Sequence, residues 1–217
     1  MMKKIDLNTW KRTEIFNFFN SVDYPFYSYS FNLDITNYLK HIKEGELPFS
    51  FCMVYAVARI SNGIEAFRYR FDGADVVLYD RIDPSIIVTS DDPELMKILR
   101  VPFNPDVHAF IKHAKEIESS QTGFINYEAE KLRNVLYTTS NPWIPTTQFT
   151  NTISLDKTDA IPRFFWGRYF KDQEKTLLPF TMQVHHGFVD GYHTGLFYND
   201  MCKYLAECPD LGLKKDC

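Results

Sequence analysis

The stretch Leu177-Leu178-Pro179-Phe180-Thr181-Met182-Gln183-Val184-His185-His186-Gly187-Phe188-Val189-Asp190-Gly191-Tyr192-His193 decides how the chain is read. Its first eight residues alternate and are rich in apolar and β-forming types, so they predict a strand. From Thr194 to Leu205 the apolar residues recur at helical spacing. The histidine pair therefore sits where a strand ends and a helix begins. Successive side chains along a strand point to opposite faces, so His185 and His186 diverge and only one of them faces a given cleft. Imidazole is the side chain whose ordinary pKa best suits proton abstraction near neutral pH. Asp190, four residues after His186 and followed by Gly191, either fixes an imidazole or holds the turn that positions it. The same letters also describe a satisfied core histidine followed by an N-cap aspartate, and the H-x-x-x-D-G pattern alone leaves both readings open.

Working outward, the 217 residues are 45% hydrophobic and 16% aromatic, enough for one sizeable core, so a single domain over 1–217 is expected. The 19 Phe and 13 Tyr argue for large apolar contacts such as a ligand pocket or a subunit interface. A formal net charge of -4 offers no electrostatic footprint for nucleic acid or an acidic membrane, and neither partner is expected. Cys52, Cys202, Cys208 and Cys217 form no C-x-x-C pair and have no metal-ligand spacing. Cys52 lies in an apolar run and reads as core, Cys217 reads as a terminal thiol, and the set fits a reducing cytoplasm. Met1 to Asp6 carries charge without an apolar run, and no stretch approaches the ~20 apolar residues of a membrane span, so neither export nor embedding is expected.

Elsewhere, Asn8-Thr9 predicts the cap of a helix opening at Trp10, with Ile15, Phe18 and Phe19 on one face. Tyr24 to Leu33 predicts a strand and Asp34 to Lys43 a short helix. Phe49 to Ile60 is apolar nearly all round, a buried helix with Pro48 in its first turn. Phe67 to Phe71, Val76 to Tyr79 and Ile86 to Thr89 read as a three-strand meander, broken at Asp91-Asp92-Pro93. Asp106 to Glu118 predicts an amphipathic helix with His108 and His113 facing solvent, followed by a loop from Ser119 to Gly123. Leu136 to Thr139 and Arg163 to Tyr169 predict strands.

The string from Gln183 to His193 resembles the active-site segment of the chloramphenicol acetyltransferases, within the CoA-dependent acyltransferases that share an H-x-x-x-D-G motif. The resemblance implies an α/β (α+β) fold with a mixed β-sheet flanked by helices, and a homotrimer whose active sites lie between subunits. It makes His186 the general base; the cysteine usual before the aspartate is here Val189. Trp10-Lys11-Arg12-Thr13-Glu14 resembles the family's W-x-R-x-E opening, which implies that Arg12 pairs with Asp190. A carboxylate held by a guanidinium pins a turn rather than acting as a base. Ser140-Asn141-Pro142-Trp143 resembles the family's S-x-x-P-W element, whose serine hydroxyl stabilises the oxyanion of the tetrahedral intermediate. Counting back from Pro142 puts Thr139 at that place, with the hydroxyl donor kept; a one-residue shift nominates Ser140.

The resemblance also implies an acceptor pocket of Phe18, Phe19, Asp23, Pro25, Tyr27, Met96, Ile98 and Phe149. Trp143 and Tyr169 fall where the family contacts CoA, and Arg168 where it can neutralise a CoA phosphate. Three positions of the inferred pocket depart from the pattern: Asp23 where drug binders are apolar, Asn151 in a run that is usually more apolar, and Phe165 where threonine is common. The activity implied is acetyl-CoA-dependent O-acetyl transfer to chloramphenicol by general-base catalysis, with no acyl-enzyme and no metal. Its nearest rival is a related acyltransferase acting on a different hydroxyl or amine acceptor. A metal site built from His185, His186, Asp190 and His193 is disfavoured because the adjacent histidines diverge. A catalytically silent CoA-binding or oligomeric module is the third class.

Overall fold

A computed structural model of the chain describes residues 1–90 and 92–211. In chain order its elements are β1 (Met2–Lys4), α1 (Thr13–Ser21), β2 (Phe26–Asp34), α2 (Thr36–Glu44), α3 (Phe49–Gly63), β3 (Tyr69–Asp72), β4 (Asp75–Tyr79), β5 (Asp83–Thr89) and β6 (Met96–Arg100). There follow α4 (Val107–Ser120), α5 (Tyr127–Glu130), β7 (Val135–Asn141), β8 (Arg163–Gly167), β9 (Phe170–Asp172), β10 (Lys175–His185) and α6 (Gly191–Glu207). The main sheet runs β2-β10-β8-β7-β5-β6, with β9 beside β10. Its centre is parallel (β5 with β7, β7 with β8) and its flanks are antiparallel, so the expected mixed sheet flanked by helices is present.

The two faces of this sheet differ because side chains alternate along each strand. On one face Leu33, Leu99, Leu136, Phe164, Phe180, Met182 and Val184 are buried in the cluster that α2, α3 and α6 cover. Burying each such side chain contributes about 1.5–3 kcal/mol, which fixes the register, since a one-residue slip would turn all of them to the other face. On the opposite face the register lines up Ser85, Tyr137, Arg163, Gln183 and Ser28 in one row, and Thr139, Phe165, Thr181 and Ser30 in the next. Helices α2, α3 and α6 leave this second face free, and the four-residue α5 reaches it through Glu130, which accepts from Ser85. The long connection 142–162 lies across it, with Phe149 stacked on Phe165 at 3.9 Å and Asp159 paired with Arg163 at 2.6 Å. Gly167 permits that approach: a Cβ there would overlap the Thr146 hydroxyl and stand 3.0 Å from the Ile144 carbonyl.

The meander divides. β3 and β4 join β1 in a separate three-stranded sheet, whereas the third strand, β5, leaves to pair in parallel with β7. Buried Arg70 ties the two sheets together by donating to the carbonyls of Phe67, Tyr69, Arg133 and Val135. Phe67 and Arg68, expected to open a strand, belong instead to a 3-10 turn over Glu65–Arg68. Helix α1 begins three residues later than expected, and Asn8-Thr9 do not cap it: they sit in a turn closed on Asp6. Trp10 packs outside the helix, its indole N–H donating to Tyr69 Oη at 3.2 Å. Pro48 precedes α3 rather than entering it. Met96 and Ile98, which had no assigned element, lie on β6, and Tyr169 lies past the end of β8. Cys52 is buried and His108 and His113 are exposed, as expected, while Asp91 and Cys217 lie outside the described residues. Among the described residues no helix is long and apolar enough to cross a membrane.

Candidate active site

β10 ends at His185, and the chain turns sharply into α6. His186 is carried in that turn. Its backbone N–H donates to the Pro25 carbonyl at 2.7 Å, which ties the turn to the start of β2. The ring stacks flat on Phe19, 3.6 Å between centroids and 7° between planes, and leans on Tyr27 at 4.4 Å. Two aromatic contacts leave the imidazole little rotational freedom. Nδ1 is enclosed and has no partner among the described residues, so Nε2 is the nitrogen able to meet an incoming group. Tyr27 donates its hydroxyl to the Val189 carbonyl at 3.2 Å, and burial, with Tyr29 and Asp190 nearby, raises its pKa so that the donor is kept. Phe18 packs edge-on against Phe19 and is largely exposed.

Asp190 both caps the helix and pairs with arginine. One carboxylate oxygen accepts from Arg12 Nη1 at 2.8 Å; the other accepts from the Tyr192 N–H at 3.1 Å. His193 Nδ1 lies 2.8 Å from Asp190 Oδ1 and 3.2 Å from the Asp190 N–H, and a single nitrogen site cannot serve both. The backbone contact closes a capping box, so Nδ1 accepts from the Asp190 N–H at the start of α6. Burial works to raise the Asp190 pKa, but the Arg12 hydrogen bond and the neighbouring charges of His193 and Arg12 outweigh it and hold the carboxyl below its usual range. Burial depresses the pKa of His193 in turn. Asp190 is thus occupied on every side as a fixed anion at the helix N-terminus, where the backbone dipole also favours it.

His185 faces the opposite way, 2% exposed, among Phe26, Phe71 and Phe188. Its Nδ1 accepts from the Gly187 N–H at 3.1 Å, closing the turn that carries His186. Burial, only partly offset by the Lys157 backbone, pushes its pKa down to about 4. A histidine held neutral in the folded state gives stability that is complete above the unfolded pKa of 6.5 and is lost as pH falls towards 4. Denaturant titrations should therefore show about 2 kcal/mol lost between pH 6.5 and pH 5 through this residue. His185→Asn should flatten that slope, and an unchanged slope would mean that the ring is not the source.

Thr139 belongs to a second group. It lines a cavity of 320 Å³ with Ile98, Phe149 and Asn151, and also a cavity of 760 Å³ that contains Met96 and Trp143. Besides Thr139, only Ile87 lines both. Ser140 opens instead onto the larger cavity and a third one of 410 Å³ that carries Arg168 and Tyr169. Met96, Ile98, Phe149 and Trp143 thus share cavity walls with Thr139, Arg168 and Tyr169 share one with Ser140, and His186 lines none of these three cavities. Thr139, Phe165 and Thr181 stand side by side across three strands. His186 lies five residues beyond Thr181, which sets the two on the order of 20 Å apart at the usual strand rise and spacing.

The family model described as chloramphenicol acetyltransferase matches residues 1–202. The chain belongs to the chloramphenicol acetyltransferase family. It is 30% identical over 199 residues to a chloramphenicol acetyltransferase of Clostridium perfringens, covering 90% of this chain and 91% of that one. With one from Escherichia coli it shares 28% over 205 residues, 94% and 93% of the two chains. A solved chloramphenicol acetyltransferase structure superposes with a TM-score of 0.88 at 28% identity, covering 94% of this chain and 100% of that one.

Against the family pattern the expected residues fall into two sets in this chain: Arg12, Phe18, Phe19, Pro25, Tyr27, His186 and Asp190 in one, Thr139, Met96, Ile98, Phe149, Trp143, Arg168 and Tyr169 in the other. Asp23 joins neither: it is fully exposed, 3.8 Å from Lys157 Nζ. Phe165 does not face an open pocket but is buried as the partner of the Phe149 ring. Tyr137, Arg163 and Glu130 line the Thr139 cavity and were not anticipated. The first two sit two residues before Thr139 and Phe165 on their strands, so strand alternation alone nominates them. Glu130 carried no such signal. Of the four donors of the metal-site alternative, His185 and His186 lie on opposite sides of the turn, and the Nδ1 atoms of His185 and His193 accept from the Gly187 and Asp190 N–H groups.

Proposed function

We propose that this protein is an acetyl-CoA-dependent O-acetyltransferase of the chloramphenicol type, working in the cytoplasm as a homotrimer of single-domain subunits with its active sites between neighbouring chains. One observation carries this reading: the imidazole that fits a general base and the hydroxyl that fits an oxyanion donor lie on the order of 20 Å apart within one chain, each amid half of the expected pocket. A neighbouring subunit bringing its Thr139 half to His186 completes a site that neither chain has alone. The exposed Phe18, Tyr24 and Tyr29 beside the His186 half are apolar surface of the kind such a contact covers.

In the completed site His186 Nε2 takes the proton of the acceptor hydroxyl as its oxygen attacks the acetyl carbonyl of the thioester. Thr139 Oγ1 donates to the oxygen that becomes negative. As the tetrahedral carbon collapses the C–S bond breaks, and the imidazolium returns its proton to the departing thiolate, leaving the acetyl ester and CoA. Asp190, fixed by Arg12 and His193, holds the turn that presents the base and carries no proton itself. The thioester arm suits the 760 Å³ cavity, whose wall joins Phe51, Val88, Leu95 and Trp143, with Lys115 at its rim. Arg168 stands exposed beyond it, where a phosphate remains solvated. Thr139 rather than Ser140 suits the oxyanion because it faces both this cavity and the acceptor side.

The test is spectrophotometric release of CoA thiol from acetyl-CoA with chloramphenicol and with a panel of other alcohols and amines. Acceptor-dependent release is expected. CoA binding without transfer to any acceptor would instead mark a silent module.

A further inference from the structure

The 320 Å³ cavity beneath Thr139 has a polar end that a neutral, largely apolar acceptor does not use. Its two charged side chains are Arg163 and Glu130. The guanidinium of Arg163 is neutralised within its own chain: Nη2 meets Asp159 Oδ2 at 2.6 Å, Nη1 reaches Asp159 Oδ1 at 3.3 Å and the Ile161 carbonyl at 2.9 Å, and the group lies over the Tyr137 ring. Glu130, at the end of α5, has no such compensation. One of its oxygens accepts from the Ser85 hydroxyl at 3.0 Å, and among the described residues no lysine, arginine or histidine pairs with it. The cavity therefore presents one uncompensated negative charge. A second observation points the same way: the Asn151 amide nitrogen is buried in the same lining and, among the described residues, has no hydrogen-bond partner. Leaving such a donor unmet is costly, so a ligand oxygen there is favoured. The Phe149 ring, pinned flat on Phe165, narrows the apolar side to one aromatic face.

We propose that the preferred acceptor is a small hydroxyl compound bearing an ammonium group, the cation held by Glu130 and a neighbouring oxygen by Asn151, with its hydroxyl turned towards Thr139 and the His186 of the adjoining chain. This rests on the acetyltransferase reading above and makes Glu130 a residue that sets acceptor specificity. Charge-assisted contacts of this type discriminate by about tenfold or more.

A pair of acceptors, compared in wild type and variant, reads out the charge: chloramphenicol, and the same nitrophenyl-propanediol with its dichloroacetyl group removed to leave the free amine. Wild-type protein should release CoA with a higher kcat/KM for the amine than for chloramphenicol, and Glu130→Gln, whose amide oxygen still accepts from Ser85, should lower that ratio about tenfold. Glu130→Asp should lower it less. A merely structural role would move both acceptors together and leave the ratio where it was. Wild type preferring chloramphenicol, or a ratio untouched by Glu130→Gln, would overturn the assignment. No release with either acceptor or with the wider panel would overturn the transferase reading itself, and the assignment with it.

Discussion

His186→Ala should lower kcat/KM for acetyl transfer by at least about 10²- to 10⁴-fold, the usual contribution of a positioned general base. The fall should appear in kcat, because the ring is needed as the hydroxyl proton leaves and not while acetyl-CoA docks. The fold should survive: the ring is only partly buried, and its loss removes the Phe19 stack, about 1 kcal/mol. The contrast with the adjacent residue is the sharper part of the expectation. His185 lies on the other side of the turn with its Nδ1 already engaged, so changing it should act on stability and on its acid dependence. Full activity in His186→Ala, measured by CoA release, would remove that residue from the mechanism.

Thr139→Val should lower turnover about 10²- to 10³-fold, as loss of an oxyanion donor does, while acetyl-CoA binding measured directly stays largely intact. Valine keeps the shape and the β-branch and removes only the hydroxyl, so the strand and both cavities that Thr139 lines are preserved. Ser140→Ala provides the comparison. That side chain opens only onto the CoA-side cavities, and its loss should leave turnover within a few-fold of normal. Unchanged turnover in Thr139→Val would mean that another group serves the oxyanion.

Much of the His186 half was legible in the letters. A strand pattern running into two histidines, a glycine and an aspartate before a helix says that the two rings diverge, because alternation is a local rule, but not which ring takes which side; the burial of His185 among Phe26, Phe71 and Phe188 supplies that. The competing interpretations of Asp190 were both true: the same carboxylate caps α6 and holds Arg12, since its two oxygens face different donors. The count back from Pro142 left Thr139 and Ser140 open, and only the side of the sheet on which each opens separates them. The meander could not be read as split between two sheets, because turn residues show where a strand ends and not which neighbour it joins. Glu130 was invisible for a related reason. It reaches the Thr139 cavity from a four-residue helix, and nothing near it in sequence says that Ser85, Tyr137 and Asn151 stand opposite.

The shared site is the claim on which the mechanism depends, and mixing two crippled chains tests it most directly. His186→Ala and Thr139→Val proteins are each expected to be nearly inactive. Co-refolded in equal amounts into mixed closed rings, they should regain about a quarter of wild-type CoA release, because a random ring pairs an intact His186 with an intact neighbouring Thr139 in about one site of four. Mixed assemblies no more active than the two parents would contradict a site built from two chains.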